Sequence, residues 1–398
     1  MEHTSSPDGA LNIVCFSHLR WDFVFQRPQH LLSRLAAERR VFYWEEPLLE
    51  EVDVPHVRRL EREGGVVVLQ PVIHSGMLDD EVQDAVRTLL AGWLASDDAP
   101  KHYMAWYYTP MALNYTEPAK PALTVFDVMD ELSAFRGAPP ELLELERKLL
   151  DAADVVFVGG RSLYESKRAK HGNIHLYPSS VDRAHFAQAQ HASAEDAQPE
   201  DQAMIPHPRI GFYAVLDERL DTALLARIAA LRPQYQFVLV GPVAKISEDD
   251  LPRARNLHYL GSKAYAALPQ YLGGWDVAMM PFAINASTRF ISPTKTPEFL
   301  AAGLPVVSTP VADVVHTYGR AGAARIASTA EEFVDAVDAA LSARDEAWKE
   351  IADKLLDDQS WDRTVEAIDV HMREAFVAKS ASKIELHTYK DETRLVLG

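Results

Sequence analysis

Two α/β domains, each a doubly wound parallel sheet, facing one another across a cleft, are the fold that this sequence predicts. Three observations carry the prediction. Short apolar runs recur between amphipathic stretches, the series breaks off in a polar, proline-bearing segment near residue 200, and the same series then begins again. The length of 398 residues fits two large domains, at roughly 100 to 200 residues per domain.

In the first half the candidate strands are LNIVCFS from Leu11, RVFYWEE from Arg40, VVVLQ from Val66, ALTVFDV from Ala122, DVVFVGG from Asp154 and NIHLYP from Asn173. Most are continuous apolar runs, which suits strands buried on both faces by crossover helices such as PPELLELERKLLDAA from Pro139. Between Pro178 and Arg209 the chain turns to Ala, Gln, Glu, Asp and His with three closely spaced prolines, Pro199, Pro206 and Pro208, and reads as a polar linker. RIGFYAV from Arg209, FVLVG from Phe237, NLHYLG from Asn256, DVAMMPF from Asp276 and PVVSTP from Pro305 form the second series. The predicted domains are therefore 1–180, a linker 181–208, a second domain 209–365, and a helix with tail from 366–398 that is expected to return to the first domain. Phe333, Val334, Val337 and Leu341 fall near one face of a helix in EEFVDAVDAALSA, whereas the tail ASKIELHTYKDETRLVLG fits a strand, an arm or a frayed end.

Composition narrows the function. Apolar residues make up 47% and charged residues 25%, enough to fill a core in each half. A formal charge of -18 repels phosphate backbones and argues against nucleic acid as a partner. The single cysteine, Cys15, allows no intramolecular disulfide and fits a reducing compartment. The polar start MEHTSSPDGA lacks the plan of a secretory signal, and no apolar run approaches the roughly 20 residues that cross a bilayer. A cytoplasmic protein is expected, with peripheral contact on the inner membrane face left open.

Ligands of paired parallel sheets bind at the carboxyl ends of the strands, so the loops after strands are the places to search. The richest is Arg289-Phe-Ile-Ser292-Pro-Thr294-Lys295-Thr-Pro-Glu298-Phe-Leu-Ala-Ala-Gly303-Leu-Pro. Ser or Thr before proline starts a helix and Gly303 with Pro305 ends one, predicting a short helix from about Pro293 or Pro297 to Ala302. Its N-terminus, with Arg289 and Lys295 beside it, suits a diphosphate, and Glu298 in the first turn can accept from two ribose hydroxyls. The same residues also serve a helix alone, with Ser292 or Thr296 as cap, Glu298 balancing the dipole and Lys295 solvated.

SPTKTPEFLAAGLPVVSTP resembles the donor-binding signature of the retaining GT-B glycosyltransferases known as family 4. The resemblance implies that Glu298 contacts the donor ribose and Lys295 its phosphate. Pro178-Ser-Ser-Val-Asp182-Arg-Ala-His-Phe186 is similar to the family's hinge motif, and Phe237 to Pro242, Asn256 to Gly261 and Leu268 to Pro281 follow as its next landmarks. The match runs over roughly residues 175–310. Phe290 stands where members commonly carry a first glutamate, and Arg219 substitutes for a basic pair after the first strand of the donor domain. Donor contacts are thus expected from Arg219, Gly241, Arg289, Ser292, Thr294, Lys295 and Glu298. Fold and function implied by the resemblance are the GT-B architecture and transfer of a sugar from a UDP- or GDP-sugar to a glycan or lipid-linked acceptor, with retention, in cell-surface polysaccharide synthesis.

On the acceptor side, His18, Arg20, Trp21, Asp22 and Arg27 crowd one loop after the first strand, in FSHLRWDFVFQRPQHLL, which is similar to a subgroup some of whose members carry the name of a teichuronic-acid transferase. Trp21 also reads as core and Arg27 as helix surface. Asp127 and Asp130 follow another strand, and Trp106-Tyr107-Tyr108 an earlier one. Catalytic candidates are Asp22, His18, Asp127 and Asp130, and acceptor contacts Arg20, Trp21, Arg27 and Tyr107. Asp-x-x-Asp is not the Asp-x-Asp of metal-using transferases and no spacing reads as a metal cage, so neither metal nor other cofactor is expected. A nucleotide-sugar 2-epimerase of the same fold, or a catalytically silent GT-B protein that binds a sugar nucleotide, are the competing readings.

Overall fold

The computed structural model describes residues 11–191, 198–342 and 346–396. The polar N-terminal decapeptide, the middle of the expected linker and the last two residues of the tail lie outside the described residues.

The first sheet contains β1 (Asn12–Phe16), β2 (Val41–Trp44), β3 (Leu48–Glu50), β4 (His56–Glu61), β5 (Val66–His74), β6 (Tyr103–Tyr107), β7 (Leu123–Val128), β8 (Val155–Val158) and β9 (Ile174–Leu176). Its order is β3-β5-β2-β1-β6-β7-β8-β9, with β4 antiparallel on β5 and the other pairs parallel. β2, β6 and β8 are buried at every residue, which explains their unbroken apolar composition. β4, HVRRLE, is charged instead because it lies at the sheet edge, where Arg58 forms a fork with Glu50 and discourages further pairing.

The second sheet contains β10 (Arg209–Tyr213), β11 (Gln236–Val240), β12 (Leu257–Tyr259), β13 (Val277–Met280), β14 (Val306–Ser308) and β15 (Ala324–Ile326). All pairs are parallel and the order is β12-β11-β10-β13-β14-β15. Strand order therefore reverses between β10 and β13, a crevice where such sheets hold ligands. The corresponding reversal in the first sheet is at β1, between β2 and β6.

The segment expected to be a polar linker is built into the second domain. Helix Arg183–Ala187 is capped by Asp182, and its Phe186 is fully buried in the second core beside Val181, Ala189 and Ile205. Gln202 is also fully buried, donating to the Tyr271 carbonyl and accepting from the Trp275 indole. Part of the low hydrophobicity here belongs to satisfied buried polar groups, and the rest to residues exposed on the surface.

Leu356 still belongs to the second core, whereas Trp361 opens a helix to Val396 that packs on the first domain. Trp361, Ile368, Met372 and Ala375 join Leu31, Leu32 and Leu35, and Arg39 pairs with Asp369 at 2.5 Å and Lys379 with Asp154 at 2.6 Å. The chain thus crosses between domains at two places, near residue 180 and between Leu356 and Trp361. The backbone of the tail continues this helix rather than forming a strand. Trp361→Ala removes a buried ring stacked on His30, with centroids 4.6 Å apart, and should lower stability by about 3–5 kcal/mol. Denaturant unfolding followed by circular dichroism checks this.

Candidate active site between the two sheets

A cavity opens where the carboxyl ends of the two sheets meet, and both domains line it. The first domain contributes Val24 to Arg27 after β1, Met129 and Asp130 after β7, and Ser179. The second contributes Tyr213, Ala214, Val215 and Arg219 after β10, Gly241 and Pro242 after β11, Lys263 and Tyr265 after β12, Phe282 after β13, and Ile291 to Lys295. Gly241 is required by geometry: its φ is +142°, and a Cβ there would sit 1.7 Å from the Ala214 carbonyl oxygen.

The helix expected at the donor signature runs from Lys295 to Ala301. Glu298 in its first turn has a side chain only 5% exposed, accepting from the Tyr213 hydroxyl and from Lys295 Nζ at 3.0 Å. Lys295 also donates to Thr294 Oγ1 at 3.1 Å, and its ammonium lies 4.4 Å from the centre of the Tyr213 ring. Ser292 lines the same wall and approaches Gly160 of the first domain, where an added Cβ would fall 2.7 Å from Ser292 Cβ. Arg219 reaches the cavity with its guanidinium forked onto Asp217. Arg289 does not join this group. It is exposed over the Phe290 ring and absent from the lining.

The acceptor loop divides. Arg27 is buried and lines the cavity, its Nε bonded to both Asp127 oxygens at 3.0 and 2.9 Å and its Nη1 to the Tyr177 carbonyl. Its Nη2 is buried and has no hydrogen-bond partner among the described residues. Asp130 is partly buried in the cavity wall; burial raises its carboxyl pKa above the usual range, and the nearby Arg219 and Lys245 draw it back. His18 keeps Nδ1 buried without a partner, and burial, with Lys245 nearby, lowers its pKa to about 4.

The other candidates have structural contacts. Asp127 is fully buried and pairs with Arg27 at 2.9 Å. Asp22 is about half exposed, pairs with Arg62 at 2.6 Å and lies outside the cavity lining. Arg20 is held by Glu45 and the carbonyls of Glu46 and Pro47. Trp21 packs edge-on against Tyr43 in the first core. Trp106 and Tyr107 lie inside β6 and not after a strand, and the Tyr107 hydroxyl donates to Thr116. A high density of polar and aromatic residues in a loop marked a tightly bonded loop as much as a binding one.

Residues missed by sequence reading are Tyr213, Lys263, Tyr265, Phe25 and Lys245. Phe25 stacks on Tyr265 across the cleft, centroids 4.5 Å apart. Lys263 pairs with Asp201 at 2.6 Å. Lys245 adopts φ +62°, rare for a side-chain-bearing residue, with its ammonium 4.5 Å from the Phe135 ring centre. Tyr213 carried a usable signal, since it closes an expected strand at the reversal point. Among the described residues, no three His, Cys, Asp or Glu side chains converge as metal ligands.

Residues 207–343 match the family model described as glycosyl transferases group 1. That match falls on the second domain. Over 103 residues the chain is 32% identical to TuaH of Bacillus subtilis (strain 168), whose name places it among teichuronic acid biosynthesis glycosyltransferases; the match spans 25% of this chain and 26% of that protein. Over the whole length, the group 1 domain and its partner superpose on sucrose-phosphate synthase from Thermosynechococcus elongatus with a TM-score of 0.71, covering 93% of this chain and 100% of that one at 17% identity. An α,α-trehalose-phosphate synthase (UDP-forming) from Burkholderia vietnamiensis gives 0.65 at 15% identity, covering 92% and 99%. WaaG, a glycosyltransferase involved in lipopolysaccharide biosynthesis, gives 0.57 at 14%, covering 90% and 99%. The architecture is GT-B.

Two outcomes test these assignments. Asp127→Ala leaves the buried Arg27 guanidinium without its counter-ion and should destabilise by about 3–5 kcal/mol, whereas Asp22→Ala should change stability by about 1 kcal/mol or less; paired thermal melts decide. His18 is depressed in the folded state, so the unfolded chain takes its proton first. Its contribution to stability is full above pH 6.5 and is lost as pH falls towards about 4. His18→Gln should therefore flatten the fall in Tm between pH 7 and 5. A remaining slope is expected from His30, His175 and His258, which burial also holds neutral.

Proposed function

We propose that this protein is a glycosyltransferase that moves a sugar from a UDP- or GDP-sugar to a glycan or lipid-linked acceptor, with retention, in cell-surface polysaccharide synthesis. The observation that carries the reading is Lys295, bonded to the buried Glu298, which lies outside the cavity lining; Lys295 itself stands in the wall at the carboxyl end of the second sheet and faces Arg27 and Asp130 of the other domain across one cavity.

In this reading the donor lies along the second sheet, its ribose hydroxyls donating to Glu298 and its diphosphate meeting Lys295. Departure of the nucleoside diphosphate builds negative charge on the phosphate while the sugar carbon becomes oxocarbenium-like. Lys295, already anchored in the wall, stabilises that charge without reorganising solvent. Arg27 Nη2 offers a hydrogen bond from the acceptor side, and Asp130, its pKa raised by burial, is placed to orient or deprotonate an acceptor hydroxyl. These cations supply the charge stabilisation, and we propose no metal requirement.

Support for a UDP-sugar comes from neighbours titled UDP-forming and, for an E. coli enzyme, bound with UDP-2-fluoro glucose. Support for the polysaccharide role comes from the names of TuaH and WaaG. No described helix is long and apolar enough to cross a membrane, and we place the protein in the cytoplasm, meeting a lipid-linked acceptor from the inner membrane face.

Thermal shifts with UDP, GDP, ADP, dTDP and their sugars, with and without EDTA, should show stabilisation by UDP or GDP that chelation leaves unchanged. In turnover, Glu298→Ala and Lys295→Ala should each cost on the order of tenfold or more in kcat/KM. Folded variants that bind and turn over like the parent would remove this site. Binding without transfer to any acceptor would favour the silent sugar-nucleotide-binding reading, which the substitution at Phe290 keeps in view. Conversion of the donor without acceptor would indicate a 2-epimerase.

A further inference from the structure

We propose that Tyr213 is a positioning residue that holds Glu298 in place while Lys295 exchanges the carboxylate for the donor diphosphate. The inference rests on the donor-site reading above and deepens it.

Without ligand, Lys295 is committed to Glu298 at 3.0 Å, and the Tyr213 hydroxyl donates to the same oxygen, Oε2. The lysine side chain is 18% exposed and borders the cavity, whereas the glutamate side chain is 5% exposed. A diphosphate entering the cavity draws the ammonium outward. That step would strand a buried carboxylate, whose desolvation is not repaid unless another donor stays behind. Tyr213 is that donor. It is the last residue of β10 and 5% exposed; its ring meets Phe299 edge-on at 5.3 Å, so the sheet and the core fix the hydroxyl. Burial, and the adjacent Glu298, push its pKa well above the usual phenol value, so it keeps its proton to donate at neutral pH. Glu298 then keeps a hydrogen-bond donor that holds it towards the ribose after the lysine has left. The exchange moves hydrogen bonds only; no covalent bond forms or breaks.

The test separates phosphate-linked from ribose-linked effects by calorimetric titration of uridine and UDP, and of guanosine and GDP, into the parent, Tyr213→Phe, Lys295→Met and the double variant. Tyr213→Phe keeps the core ring and loses only the hydroxyl. It should reduce the advantage of the diphosphate over its nucleoside on the order of tenfold, and in the Lys295→Met background the same substitution should act equally on both ligands. A Glu298→Gln background should likewise abolish the selective effect, since a neutral amide needs no replacement donor. If Tyr213→Phe changes nucleoside and diphosphate affinities by one common factor, or changes neither while the parent binds UDP or GDP, the proposal falls and the donor site stands. A parent that binds neither diphosphate overturns the donor site and this proposal together.

Discussion

The seam between the two sheets is the constraint on which the rest depends, because it brings the carboxyl ends together and so creates the cavity. Its centre is Asp313 of the second domain. Only 4% exposed, it accepts from the Arg161 and Ser162 backbone N–H groups at 2.8 and 3.0 Å. These N–H groups begin a helix of the first domain, where a carboxylate supplies partners that the helix lacks. Gly160 beside them leaves room for Ser292, so the wall carrying Lys295 rests directly on the first domain. Phe290 extends this seam, packing on the first domain's core. A side chain in the position where relatives of the resembled family commonly carry a glutamate thus contributes apolar contact between domains instead of a charge to the site.

The fold was legible because burial on both faces writes itself as unbroken apolar runs, as in VFYW and VVFV. Among the strands that escaped, β4 is charged at an edge, and β3 and β15, LLE and ARI, each include a charged residue in a three-residue strand. YMAWY, by contrast, is wholly buried, and its aromatic character was attributed to a binding surface. The polar crossover misled for the opposite reason. Gln202 and Asp182 spend their polarity on the Tyr271 carbonyl, the Trp275 indole and a helix cap, a use of polar groups that composition does not distinguish from solvation.

The site was half legible. Lys295, Glu298, Ser292 and Thr294 sit on one local segment, so sequence spacing and spatial proximity agree. On the acceptor side they diverge. Asp127 and Arg27 are 100 positions apart in sequence yet form a pair in which both side chains are buried, and no local pattern announces that a carboxylate at a strand end is already spent on a distant guanidinium. Asp22 presents the same lesson at the surface through Arg62. Tyr213 could be placed at the end of an expected strand, but its partner could not, because the contact with Glu298 comes from that strand's position in the sheet.

The cations that line the cavity share one property that bears on how an anionic ligand enters. Arg27, Arg219, Lys263 and Lys295 each face a carboxylate, in Asp127, Asp217, Asp201 and Glu298 respectively. In a protein of formal charge -18, this keeps the resting cavity close to electrical balance. A diphosphate that binds as proposed competes with these carboxylates for the cations, and the difficulty depends on what happens to the acid left behind. Asp127, with 0% side-chain exposure, would be stranded in low dielectric, so Arg27 is a fixed electrostatic feature; Asp217, at 3%, would keep the Arg219 backbone N–H at 3.0 Å but lose the fork that neutralises it. Asp201, at 40% exposure, returns readily to water, which makes Lys263 free to move at little cost. Glu298 is buried like the first two, yet it has Tyr213 as a second donor from a rigid strand. Lys295 is consequently the cation whose buried carboxylate would keep a side-chain donor from a separate element, Tyr213 of β10, if the ammonium turned to a phosphate.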